Sequence, residues 1–316
     1  MTHPKVTIIV LNWNGIKDTV KCLDSLKKIH YSNFEIIVVD NASNGNDVEI
    51  LKEKYKDEII LIENKENLGF AIGNNNGMKY ALEKGTDYVL LLNNDTVVDP
   101  LFLDELIKIT EKDSEIGIAS PKMYYMNPPN VLWSAGGKIN WYIGHWLIGK
   151  DKKDNGQFDE MVYVDFNPGA CMLIKRETIE KIGYLPTEYF LQWEDIDYCI
   201  KAKKNGFKCI YVPKSKIWHK VLASYNKKNL NHASVILGFR NRIIFRHKYL
   251  SHLKFVFFTV CFIIIVIPIH ILYYLFCYRD LHRIRSLLTG TLMGFNEVLL
   301  NNKKHYRTLL YSDFFR

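Results

Sequence analysis

The sequence predicts an α/β fold on a mainly parallel central sheet, followed by a C-terminal helical segment apolar enough to associate with a membrane. Three observations carry this reading. Short β-branched runs alternate with stretches of helical apolar spacing through residues 1–112, the pattern of βαβ units. The run Tyr88-Val89-Leu90-Leu91-Leu92 carries no charge, as expected of a parallel strand buried on both faces. Each strand-like run also ends in polar residues, at Asn12 and Asn14, Asp40, Asn64, and Asn93 to Asp95. Those ends would gather on one rim of the sheet, where open α/β sheets bind their ligands.

Taken in order, Val6 to Leu11 is an apolar β-branched run closed by Asn12-Trp13-Asn14-Gly15. Apolar residues at Val20, Leu23, Leu26 and Ile29 then predict a helix over 17–29. Glu35 to Val39 is the second strand, ending in Asp40-Asn41-Ala42-Ser43; a helix over 46–56 and a strand at Ile59 to Ile62 follow. The stretch Asn67-Leu68-Gly69-Phe70-Ala71-Ile72-Gly73-Asn74 leads into a helix through Tyr80 and Leu82. Glycines at a helix start let backbone N–H groups approach an anion, although a plain helix start explains them equally. Neither a P-loop nor a Gly-x-Gly-x-x-Gly signature is present. Beyond Leu92, Asp95 would stand on the ligand rim, where a lone carboxylate can hold a divalent cation or simply turn the chain.

Composition sets the bounds. The 316 residues are 48% hydrophobic and 24% charged, ordinary for a folded protein with an ample core. Lys and Arg number 42 against 34 acids, a formal charge of +8. That excess suits a nucleotide, a membrane surface or nucleic acid, and does not choose among them. The six cysteines show no Cys-x-x-Cys pair and read as reduced, mostly buried thiols of a cytoplasmic protein.

Val6 to Gly15, Val38 to Ser43, Asn67 to Ala71 and Leu92 to Asp95 follow one another as in the family 2 inverting glycosyltransferases of the GT-A fold. The similarity continues through Gly169 to Arg176, Trp193-Glu194-Asp195-Ile196-Asp197 and His219, and is strongest to the rhamnosyltransferase-like branch. The resemblance implies a GT-A catalytic domain over 1–225, with a donor half to about 112 and an acceptor half beyond it. It implies transfer of a single sugar from dTDP-rhamnose or a UDP-sugar to a glycan acceptor, lipid-linked, in cell-surface polysaccharide or glycoconjugate synthesis. The partners are then a nucleotide sugar, the acceptor and a membrane, with no nucleic acid. Asp40 would accept from a pyrimidine N3–H, with Asn12, Asn14, Asn67, Asn74, Asn93 and Asn94 forming the donor pocket. Asp95 takes the place of the last carboxylate of an Asp-x-Asp motif and would bind Mg²⁺ or Mn²⁺, with His219 as a second ligand. Asn93 and Asn94 depart from the fuller acidic motif, which lowers the charge available to a metal. Asp195 becomes the general base and Glu194 its orienting neighbour; without the resemblance both read as acids in a first helical turn. A catalytically silent sugar-nucleotide scaffold is the alternative. A processive synthase is disfavoured, because no Gln-x-x-Arg-Trp occurs.

Between 113 and 168 the pattern is harder to read. Ile116 to Ala119 predicts a strand, and Trp133, Trp141, Tyr142, His145 and Trp146 lie close in sequence as either a sugar platform or core filler. A helix over 195–204 and a strand from Lys208 to Val212 follow. Residues 226–316 form the last region. Within it Phe255 to Tyr278 holds no acid, Lys or Arg, long enough to cross a ~30 Å hydrocarbon core. Pro268 allows a kink, so a re-entrant hairpin and a single span both fit. Arg240, Arg242, Arg246, Lys248 and Lys254 precede it and Arg279, Arg283 and Arg285 follow, so the basic flanks give no orientation. The GT-A assignment places the chain at the cytoplasmic face of the cell membrane, anchored through this segment. Leu287, Leu288, Leu292, Phe295 and Leu299 suggest a second, interfacial helix.

Overall fold

A computed structural model describes residues 3–221 and 228–300; the expected boundary at 225–226 lies outside the described residues. The strand–helix alternation folds as β1 (Val6–Asn12), α1 (Ile16–Leu26), β2 (Phe34–Asp40), α2 (Asp47–Tyr55), β3 (Ile60–Glu63), α3 (Gly69–Glu83) and β4 (Tyr88–Asn93). β4, β1, β2 and β3 pair in that order, all parallel. Alternate residues of β1 serve the two faces of the sheet. Val6, Ile8 and Val10 enter the core with Leu23, Leu26, Phe102 and Leu106. Ile9 and Leu11 face α3 instead, and there Gly77 and Gly73 permit close packing: a Cβ at these positions would stand 2.8 Å from Ile9 and 2.6 Å from Leu11. These glycines seat a helix on a sheet, which replaces the anion-binding reading of that stretch.

Past β4 the alternation stops and the sheet becomes mixed. After β5 (Thr96–Val98) and α4 (Phe102–Thr110) come β6 (Ile116–Tyr125), β7 (Leu132–Ser134), β8 (Gly137–Asn140), β9 (Gly144–Leu147), β10 (Val162–Tyr163) and β11 (Cys171–Lys175), with no helix among them. Without crossover helices nothing forces parallel pairing. β11 accordingly inserts antiparallel between β4 and β6, while β8 and β9 pair apart from the main sheet. α5 (Arg176–Ile182), α6 (Glu194–Lys204) and β12 (Lys208–His219) complete this part. β12 runs well past the expected Val212, crossing Pro213 through a register irregularity where a missing N–H is tolerated. Its far end pairs antiparallel with β5, His219 opposite Thr96.

The chain divides into two compact units. Residues 3–138, 146–190 and 194–221 form the sheet-based unit just described, and 139–145, 191–193 and 228–300 form a helical one. In the helical unit α7 (Lys228–Tyr249) packs against a last helix, Leu281–Leu300. Gly290 and Gly294 allow the approach, since a Cβ on either would strike α7 backbone at Ile236 or Arg240. Between them in sequence, His252–Tyr278 is one helix of 27 residues, apolar and long enough by composition to cross a membrane. It contains no hairpin turn. Pro268 is accommodated by a π-helical turn over Phe262–Val266, which widens the helix just before the residue that cannot donate. Phe258, Phe262 and Val266 pack with Phe239, Ile243 and Leu287, whereas Phe257, Ile264 and Phe276 are exposed.

The expected interfacial stripe splits: Leu287 is buried and Phe295 packs against Phe262, while Leu288, Leu292 and Leu299 are exposed. The basic flank splits as well. Arg240 is buried against Glu297 at 2.6 Å, and Arg246 donates to the carbonyls of Trp141 (2.8 Å) and Asn140 (3.0 Å). These two arginines are structural cations and not membrane-facing charges.

Candidate active site

The polar strand ends around Asn12 form a hydrogen-bonded lattice. Asn12 is fully buried at its centre, donating to Asp40 Oδ2 (2.7 Å) and Asp47 Oδ2 (3.0 Å) and accepting from Thr19 Oγ1 (2.6 Å). Asn94 Nδ2 reaches the same threonine at 2.9 Å. Asp40 is almost fully buried and accepts from the Ser43 N–H (2.9 Å) and hydroxyl (2.7 Å) besides Asn12. A carboxylate has about four acceptor positions, so one remains. Asn14 is exposed, in a left-handed conformation at φ 51°, and caps Asn44 at 2.7 Å.

A second lattice is built on Asn41, which the sequence reading gave no role. Its side chain bonds Asn67 Oδ1 (2.8 Å), Asn64 Nδ2 (3.0 Å) and the Leu68 N–H (3.1 Å), tying the end of β2 to the turn before α3. Asn74 lies buried one turn into α3 and donates to the Phe70 carbonyl at 2.9 Å. Its side chain is committed to the helix. Asn12 is likewise enclosed, so neither side chain is presented at the surface of the rim. Gly69 opens α3 at φ +77°, and a Cβ there would strike the Phe190 carbonyl, which also accepts the Phe70 N–H at 2.8 Å. Gly69→Ala should therefore destabilise the fold by about 2–4 kcal/mol, combining the left-handed penalty with the clash. Chemical denaturation measures it; an unchanged midpoint would show that the turn yields freely.

Asp95 and His219 meet because β5 pairs with the end of β12. Nε2 of His219 stands 3.0 Å from Asp95 Oδ1, and the Asn93 amide lies 3.5 Å from the same nitrogen. Burial alone would raise the Asp95 carboxyl, but the charge and hydrogen bond of His219, helped by Lys220, hold it below the usual range. The imidazole is fixed by Trp133, whose ring meets it edge-on at 4.6 Å. Octahedral Mg²⁺ takes ligands at about 2.1 Å, which places neighbouring ligand atoms about 3.0 Å apart, so the pair fits one divalent ion. Among the described residues no group of three His, Cys, Asp or Glu side chains is placed to hold a metal. Such an ion would complete its shell with phosphate oxygens and water, as Mg²⁺ commonly does. Lys220, missed in the sequence, follows directly: its N–H donates to the Asp95 carbonyl and its ammonium pairs with Asp18 at 2.9 Å.

Asp195 is brought to this rim by a short relay. Its Oδ2 accepts the Gly169 N–H at 2.9 Å, and the next residue, Ala170, accepts the Asn93 N–H at 2.9 Å. Burial raises the Asp195 carboxyl despite the two N–H groups, of Gly169 and Ile196, that favour its charge. Glu194 rises further, from deeper burial and the neighbouring Asp195 charge, and its buried Oε2 meets no partner among the described residues. Asp197, by contrast, is wholly buried and accepts the Tyr189 hydroxyl at 2.7 Å. The aromatics of 133–146 do not form one platform. Trp133 serves His219, Trp141 stacks on Phe245 within the helical unit, His145 meets Trp193 there, and Trp146 is exposed.

The mixed sheet with strand ends gathered on a polar rim has the architecture of the GT-A fold. The chain matches Glycosyl transferase family 2 over residues 7–183 and belongs to that family. It is 28% identical over 204 residues to the low-salt glycan biosynthesis hexosyltransferase Agl10 of Haloferax volcanii, covering 64% of this chain and 62% of that protein. It is 26% identical to the poly-beta-1,6-N-acetyl-D-glucosamine synthase of Staphylococcus aureus strain COL, covering 67% of this chain and 49% of that one. The chain thus spans less than two thirds of either relative. Among solved structures, the mannosyltransferase PcManGT from Pyrobaculum calidifontis, in complex with GDP-Man and Mn²⁺, aligns at TM-score 0.57 with 17% identity, over 93% of this chain and 88% of that one. S. aureus TarS 1–349 aligns at 0.55 with 15% identity, over 95% and 82%. Both show the shared fold.

Proposed function

We propose that this chain is a metal-dependent inverting glycosyltransferase that moves one sugar from dTDP-rhamnose or a UDP-sugar to a lipid-linked glycan at the cytoplasmic face of a membrane. The GT-A catalytic domain would occupy 1–225, donor half first, and the C-terminal region would attach it to the bilayer. The observation that carries the reading is the placement of Asp195, a carboxylate with a raised pKa, two hydrogen bonds from the Asp95–His219 rim. The last acceptor position of Asp40 takes the pyrimidine N3–H, and Asn14, Asn67, Asn93 and Asn94 line the donor while Asn12 and Asn74 brace it. Asp95 and His219 would hold the divalent ion, which neutralises the donor diphosphate when bound. Glu194, the more strongly raised carboxyl, keeps its proton and orients the acceptor. Asp195 is left ionised to take the acceptor hydroxyl's proton as that oxygen attacks the anomeric carbon opposite the diphosphate. Screening nucleotide sugars for thermal stabilisation with Mg²⁺ or Mn²⁺, then for transfer, tests the reading. Metal-independent behaviour toward every donor would end it.

The pair sets the pH response. A base works ionised, so kcat/KM should rise with pH through the raised Asp195 pKa, placing the acid limb above the ordinary aspartate range of about 4. A limb at or below that range would remove Asp195 from the role.

A further inference from the structure

Three arginines stand on α7 at 240, 242 and 246, and two are held by partners within the helical unit, Arg240 by Glu297 and Arg246 by backbone carbonyls. Arg242 is not. Its Nε and Nη1 are buried and make no hydrogen bond, and it has no ion-pair partner among the described residues. Two ring faces flank the guanidinium, Phe239 at 5.5 Å and Phe262 at 5.8 Å from its central carbon. Gly144 adds no side chain beside Nη2; a Cβ there would come within 3.4 Å of it. Burial pushes the Arg242 pKa down to about 10, against a smaller opposing effect of Tyr274. A charge withdrawn from water without a partner is a standing cost, and the ring faces offset part of it.

We propose that Arg242 anchors a phosphate-binding site on the helical unit, and that the phosphate it takes is carried by a lipid. The planar guanidinium presents N–H donors along its edges that match phosphate oxygens, and Nε and Nη1, on different edges, are both uncommitted. Phe262, which flanks it, belongs to the apolar helix His252–Tyr278, whose Phe257, Ile264 and Phe276 are 56%, 67% and 70% exposed. A phosphate bearing an alkyl chain satisfies the cation and covers such a surface together; inorganic phosphate satisfies only the cation. The lipid source rests on the membrane-acceptor reading above, whereas the anion site itself does not.

Thermal unfolding of the full chain in neutral dodecyl maltoside micelles tests this, with dodecyl phosphate, inorganic phosphate and UDP as separate probes. Dodecyl phosphate should raise the Tm of the wild type, and Arg242→Met and Arg242→Gln should each weaken that response about tenfold or more. Arg242→Met should also match or exceed the wild-type Tm without ligand, because it removes an unpaired buried charge. Lys254→Gln, which removes an exposed cation of the same unit, should respond like wild type. An undiminished response in Arg242→Met, or a fall of several degrees in its unliganded Tm, overturns the site. Equal stabilisation by inorganic phosphate overturns the lipid assignment. A UDP shift absent from every variant, with the dodecyl phosphate response intact, would sink the glycosyltransferase reading and leave this one standing.

Discussion

Asp95→Ala should abolish metal-dependent donor binding and reduce turnover to background while the fold survives. The carboxylate pairs directly with His219, and no third His, Cys, Asp or Glu among the described residues is placed with them to hold a metal. If Asp95 and His219 are the two proposed ligands, the variant leaves an imidazole alone, and a hard cation binds poorly without an anionic oxygen. Stability should fall modestly near neutral pH, because deletion removes the depressed carboxyl's contribution and leaves the buried imidazole without its partner. The sign of the linkage gives a second check. The Asp95 carboxyl lies below its ordinary range, so its stabilising contribution is present above about pH 4 and lost as pH falls through the folded value. The variant should therefore show a flatter acid limb of stability than wild type. Isothermal titration of UDP with and without Mn²⁺ measures the main effect. Wild-type affinity that still responds to metal would take Asp95 out of the site.

The fold from β1 to β4 was legible in the sequence because each of its signals is local. β1 to β4 and their helices follow from strand and helix periods a few residues long, and the polar rim follows from where the apolar runs end. The direction of β11 was not legible, since pairing direction depends on connections that contain no helix and therefore no crossover rule. The length of β12 was hidden by Pro213, which reads as a strand breaker unless a register irregularity absorbs it. That extension is what carries His219 to Asp95. Sequence reasoning also could not separate lining residues from braces: Asn12, Asn14 and Asn74 look alike on paper, yet Asn14 is exposed and the other two are enclosed. Only the lattice around Asn12 and Asn41 sorts them. The arginines of α7 carry the same lesson. Equal charges at 240, 242 and 246 resemble a membrane flank, and their partners make them three different things.

Asp195→Asn should lower kcat about 10²–10⁴-fold, the usual worth of general-base catalysis, with donor affinity nearly unchanged. The substitution keeps the shape, and because Oδ2 accepts the Gly169 N–H and Oδ1 the Ile196 N–H, the amide oxygen retains one of these bonds and the other is lost. It removes the ability to take a proton, so the acceptor hydroxyl remains a poor nucleophile. The environment makes this a sharper test than usual. Burial raises both carboxyls, so the ionised pair is disfavoured in the folded state. Folded chains then hold a proton that unfolded chains have released, and this part of stability falls as pH rises from about 4 through the raised folded values. Asp195→Asn relieves Glu194 of its neighbouring charge and should stabilise the protein at pH 8 relative to wild type while nearly silencing it. Glu194→Gln should gain stability at the same pH yet lose far less activity if, as proposed, Glu194 only orients. An Asp195 that serves only the first turn of α6 would leave the variant near wild-type turnover. In that event Glu194 inherits the role of base, since Asp197 is already committed to the Tyr189 hydroxyl.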